Sequence, residues 1–153
     1  MLPIGPLVFI SCSCHNSSVN DIEAIIVQFF GGRTEVDVVA LFGSAARGRA
    51  QPDSDLDLYV RLRLGARWTL AERLALTADL SAAVRREIDL IVEDESTSVI
   101  LRREVANHGR PLFEARLGAW TDLRAAASLA YSDLEPYLRR IGEAVRLRAR
   151  AHG

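Results

Sequence analysis

Three aspartates fall within five positions, Asp53, Asp55 and Asp57, in the segment LFGSAARGRAQPDSDLDLYV from Leu41 to Val60. Leu56, Leu58 and Val60 alternate with the last two, as in a half-buried strand. In such a strand Asp55 and Asp57 share one face, about 6.6 to 7 Å apart, while the aliphatics enter the core. Side by side, the carboxylates repel each other, and a divalent, oxygen-loving cation between them removes that cost. Upstream, Gly43 and Ser44 stand where a strand turns into the short helix expected through SAARG. Exposed amides at such a turn suit phosphate oxygens. Ser44 adds a hydroxyl and Arg47 a charged fork. Downstream, Asp89 alternates with Ile88 and Leu90 in EIDLIV. It joins the same side if its strand pairs beside DLDLYV, and an exposed strand-end charge is the competing reading. Arg49 and Asp53 read as solvated loop charges, and Ser54 as a brace for the loop.

The elements that must position these residues alternate between helix and strand. Asn20 or Asp21 is expected to cap a helix with the apolar stripe Ile22, Ile25, Ile26 and Phe29, stopped by Gly31-Gly32. VDVVALF, Val36 to Phe42, reads as a buried strand, and DLDLYV as a second after Pro52. Thr69 and Glu72 form a capping-box signature for a helix with Leu70, Leu74, Leu80 and Val84 inward. EIDLIV, residues 87 to 92, is the third strand. A helix from about Ser98 to His108 ends at Gly109, and PLFE forms a short last strand. From Trp120 onward a long helix carries Leu123, Ala127, Leu134, Leu138, Ile141 and Val145 on one face, with a bend expected near Pro136. This alternation predicts an α/β or α+β domain.

Composition bounds what the domain can do. The 153 residues, 49% hydrophobic and 25% charged, suffice for one core. With 19 basic against 20 acidic residues the net charge is -1, which offers no global attraction to nucleic acid or anionic lipid. All the basic residues are arginine, so Schiff-base and lysine-nucleophile chemistry are excluded. The apolar run LPIGPLVFI lacks a preceding positive charge and contains Pro3 and Pro6, which argues against a signal peptide and for a flexible extension over residues 1–18. Residues 19–153 then make up the folded domain with its C-terminal helix. Cys12, Cys14 and His15 are too few and too tightly spaced for structural zinc, and the two cysteines read as reduced thiols of a cytoplasmic protein. No run approaches membrane-spanning length.

The segment GSAARGRAQPDSDLDL resembles the glycine-serine and paired-aspartate signature of the polymerase-beta superfamily of nucleotidyltransferases, and EIDLIV matches the place of its third carboxylate. The short chain is similar to the minimal nucleotidyltransferases, or MNT domains, many of which are antitoxins of HEPN-domain ribonuclease toxins. The likeness spans roughly Asp21 to Phe113. It implies a mixed β-sheet flanked by helices, two magnesium ions, ATP as substrate and transfer of a nucleoside monophosphate. In the antitoxin branch it implies AMP transfer to a tyrosine of the toxin, within an oligomer of the chain with itself or with that partner. Gly43, Ser44, Asp55 and Asp57 match directly, and Arg47 with Gly48 matches the usual ARG. By this resemblance Asp55, Asp57 and Asp89 are the catalytic metal ligands, and Gly43, Ser44 and Arg47 bind the nucleotide. Two alternatives stand beside it: a small-molecule transferase of the aminoglycoside type, and a module that masks a toxin by binding alone. Small-molecule relatives usually carry an added helical domain, whereas this chain offers little more than one helix after Phe113. A docking face for a protein accounts for that helix.

Overall fold

Val36, Val38, Val39, Ala40, Leu41 and Phe42 leave almost no surface to water, because their strand occupies the middle of the sheet. The computed structural model describes residues 17–48 and 54–151. The expected extension, the CSCH cluster, Arg49, Pro52 and Asp53 lie outside the described residues, apart from Ser17 and Ser18 of the extension, which belong to the first helix.

The strands are β1 (Val36–Phe42), β2 (Leu56–Leu62), β3 (Ile88–Val92) and β4 (Arg110–Glu114), ordered β3-β2-β1-β4. β1 is antiparallel to β2 and to β4, whereas β2 and β3 run parallel. A parallel pair needs a long crossover, and α3 (Leu70–Val84) supplies it. The expected mixed sheet flanked by helices is the fold found. On one face α1 (Ser17–Gly31) contributes Ile26 and Phe30, and α3 contributes Leu76, Leu80 and Val84. On the other, α4 (Val99–His108) contributes Val105 and Ala106, and α5 (Ala119–Ala151) contributes Ala119, Leu123 and Ala127. One-turn α2 (Gly43–Ala46) follows β1 directly.

Three details differ from the expectations. Helix α1 begins at Ser17, so Asn20 and Asp21 sit inside its first turns instead of capping it. In α3 the inward positions are Leu76, Leu80 and Val84, while Leu70 and Leu74 face solvent. The Thr69 capping box forms as expected: the hydroxyl accepts from the Glu72 amide, and the Glu72 carboxylate accepts from the Thr69 amide. Helix α5 continues through Pro136, and its buried positions end at Ala127, leaving Ile141 and Val145 exposed. Central β1 carries one buried charge, Asp37, which accepts from Arg61 Nε at 3.1 Å and Nη2 at 2.7 Å. Among the described residues no helix is long and apolar enough to cross a membrane.

Candidate active site

The carboxylates gather at one end of the sheet because of its register. Phe42 pairs with Asp57 on β2, and Asp57 pairs with Asp89 on β3. Adjacent strands lie about 4.8 Å apart, so Asp57 and Asp89 are near neighbours across the parallel seam. Leu56, Leu58 and Val60 belong to the core on the α1 and α3 side, whereas Tyr59 and the partly buried Ile91 pack toward α4 and α5. By strand alternation Asp57 and Asp89 point to the α4 and α5 side. The third strand does pair beside the second, and its parallel register sets Asp89 beside Asp57. The expectation that Asp55 and Asp57 share one strand needs correction. Strand β2 begins at Leu56, so Asp55 is an exposed residue just before it.

The entry to β2 is braced from the far side of α3. Leu56 N donates to Glu87 O at 3.0 Å, and Arg86 Nη2 donates to the Ser54 carbonyl oxygen. Ser54 thus braces the loop as expected, through its backbone. Arg86 carries no signal in the sequence, because an arginine at a helix end resembles any solvated charge.

Gly43 is required by both conformation and space. Its φ is +67°, and a Cβ built there would lie 2.1 Å from Asp57 Oδ2. The turn from β1 into α2 therefore presses the chain against the Asp57 carboxylate. Ser44, the next residue, is exposed, and Arg47 follows the single turn with its side chain 43% exposed. Arg47 Nη2 donates to Glu104 Oε1 on α4, and Glu104 Oε2 lies 3.3 Å from His108 Nδ1. Neither Glu104 nor His108 was legible as a neighbour of the site, since nothing local ties position 104 to position 47.

Electrostatics mark the same spot. The Asp57 carboxyl is raised above the ordinary aspartate range, first by burial, then by the charges of Asp89 and Asp55. At the other end of β3, Asp94 shows the opposite shift. Hydrogen bonds from Ser96 and Arg73 hold it at about 2, as befits a turn residue. A surface cleft lined by Leu62, Trp68, Arg73, Glu93 and Asp94 also lies at that far end, away from the carboxylates.

Among the described residues no three histidine, cysteine, aspartate or glutamate side chains converge into a ready metal cage. The donors at the seam are nonetheless all carboxylate oxygens, and burial together with the charges of Asp89 and Asp55 raises Asp57. An oxygen-only, overcharged donor set suits a hard divalent cation that would draw the carboxylates together.

The family profile of polymerase beta nucleotidyltransferases matches residues 24–116, more than half of the chain, from within α1 through the end of β4. The chain belongs to that family. As a nucleotidyltransferase it presents the family's sheet with the predicted Gly43-Ser44 turn and the Asp57-Asp89 seam at one end. No curated protein matches it in sequence.

Solved structures show similar folds. A chain of a toxin-antitoxin complex with AMP-PNP superposes with a TM-score of 0.70 at 22% identity, covering 80% of this chain and 97% of that one. A chain of the toxin-antitoxin MntA-HepT gives 0.66 at 20% identity, covering 82% and 97%. A chain from the complex of tri-AMPylated Shewanella oneidensis HEPN toxin with MNT antitoxin gives the same 0.66, 20%, 82% and 97%.

Proposed function

We propose that this nucleotidyltransferase is a magnesium-dependent antitoxin that transfers AMP from ATP to a tyrosine of a HEPN-domain toxin and thereby silences it. The observation that carries the chemistry is the packing of the Gly43 turn against Asp57, with Asp89 in register beside it. A phosphate-binding turn and a carboxylate pair thereby share one end of one sheet. The partner is supported by the architecture: structures of similar fold come from toxin-antitoxin complexes, one with AMPylated toxin, and the exposed stripe on distal α5 offers a docking face.

Asp55, Asp57 and Asp89 would hold the cations, with Asp89 serving the acceptor side. Two magnesium ions, when bound, supply neutralisation of the triphosphate and a lowered pKa for the acceptor hydroxyl. Ser44, Arg47 and the amides of Gly43 and Ser44 orient the β- and γ-phosphates, stabilising charge without forming covalent bonds. The tyrosine oxygen attacks the α-phosphorus, pyrophosphate leaves in line, and Asp89 takes the hydroxyl proton. The reaction belongs in the cytoplasm, where the triphosphate is available.

The test is co-expression with a HEPN toxin, followed by intact-mass spectrometry of the toxin. The expected result is an adenylylated tyrosine with the wild-type antitoxin and none with Asp55→Asn/Asp57→Asn. If the double variant still neutralises the toxin fully, masking by binding replaces the enzymatic reading. If an aminoglycoside accepts the nucleotide and the toxin does not, the small-molecule reading replaces it.

A further inference from the structure

Arg47 follows a helix of only one turn, and the next residue, Gly48, has a φ of +66°. Ala45 and Ala46 of that turn pack against the core, but as methyl side chains they offer a guanidinium no acceptor. A guanidinium intended to meet a phosphate from there needs an anchor elsewhere. Glu104 is placed to be that anchor. It stands on α4 immediately before Val105 and Ala106, both buried in the core, so its backbone is fixed by packing. Its two carboxylate oxygens have separate partners: Oε1 accepts from Arg47 Nη2, and Oε2 faces His108 Nδ1 one helical turn away at 3.3 Å.

The pair is a poor candidate for a fold-stabilising bridge. Both side chains are more than 40% exposed, and ion pairs of that exposure contribute little to stability. Its geometry serves something other than stability. A guanidinium has five N–H donors in a planar fork, so one can be held by Glu104 while others remain free for phosphate oxygens.

We infer that Glu104 is a positioning residue for the triphosphate, orienting the Arg47 guanidinium from α4. The inference rests on the reading of Arg47 as a phosphate ligand and goes one residue beyond it. Glu104 touches no reacting atom and acts through Arg47 alone.

Calorimetry with magnesium and a non-hydrolysable ATP analogue, on the full chain, tests this without requiring turnover. Arg47→Ala is expected to weaken binding by about tenfold or more, and Glu104→Ala by about threefold to tenfold. Glu104→Gln keeps an oxygen that accepts from Arg47 and is expected to retain most of the affinity. The double variant Arg47→Ala/Glu104→Ala should bind no more weakly than Arg47→Ala, because a residue acting through another has no effect once that other is gone. A merely structural role for Glu104 would not produce this non-additivity. Wild-type or tighter binding by Glu104→Ala overturns the inference, as does a full additional loss in the double variant. Unchanged affinity in Arg47→Ala overturns the phosphate role of Arg47 itself, and the positioning role with it.

Discussion

Asp57 concentrates the electrostatic cost of the site, since it is the carboxylate pressed by Gly43 from one side and by the charges of Asp89 and Asp55 from others. Its raised pKa has a definite sign in stability. Between the ordinary aspartate value and the raised one, the folded protein holds a proton that the unfolded chain has released, so stability falls as pH rises through that window. In metal-free buffer, thermal melts should therefore show a decline through that interval that Asp57→Asn flattens, and magnesium or manganese should raise the wild-type melting temperature above it. Identical pH profiles for wild type and variant would remove Asp57 as the source. Asp89 allows a different separation. On the proposed reading, in which Asp89 serves the acceptor side, Asp89→Asn should leave affinity for the magnesium-triphosphate nearly unchanged yet lower turnover by about a hundredfold or more. Affinity and transfer rate measured on the same folded protein decide it. Wild-type turnover would strike Asp89 from the site, and an equal loss of affinity would move it to the phosphate side.

At the level of elements, the strands were legible because their chemistry is periodic. Val36–Phe42 is apolar nearly throughout, as a central strand must be, and Asp57 and Asp89 stand out against aliphatic neighbours that fix their face. The capping box was legible because it is local: Thr69 and Glu72 exchange hydrogen bonds three residues apart. Thr69→Ala should cost about 1 kcal/mol in a denaturant or thermal melt while leaving nucleotide affinity unchanged, because α3 braces the sheet from the face opposite the carboxylates. A loss of affinity in that variant would mean that α3 acts on the site. What stayed hidden was non-local. The start of α1 at Ser17 lies in a run, NSSVND, in which nearly every residue suits a helix start, so the sequence does not single one out, and the inward face of α3 shifted to Leu76 because Leu70 at its first turn falls outside the packed region. The antiparallel pairing of β4 with β1, and the meeting of Glu104 with Arg47, join positions that no short window contains.

The whole molecule is a compact sheet domain with one long lever. Helix α5 has 33 residues and so runs about 50 Å, but its core positions end at Ala127, shortly before Arg103 stacks on the Tyr131 ring at 3.4 Å. The stripe through Ile141 and Val145 continues along the helix into solvent, with both residues about 60% exposed. Ile141→Glu/Val145→Glu should abolish co-purification with a HEPN toxin and leave magnesium-nucleotide affinity at the wild-type value, because no residue near the carboxylates changes. Retained co-purification would place the docking face elsewhere. The parallel seam between β2 and β3 has its own consequence in time. Asp57 leaves the ribosome 32 residues before Asp89, with α3 between them, and the two meet only when the crossover has folded back onto the sheet. A chain arrested before β3 would hold the turn, Asp55 and Asp57 but not Asp89, and would transfer nothing, so the first nucleotidyl transfer by a nascent chain would mark the moment at which its parallel register closes.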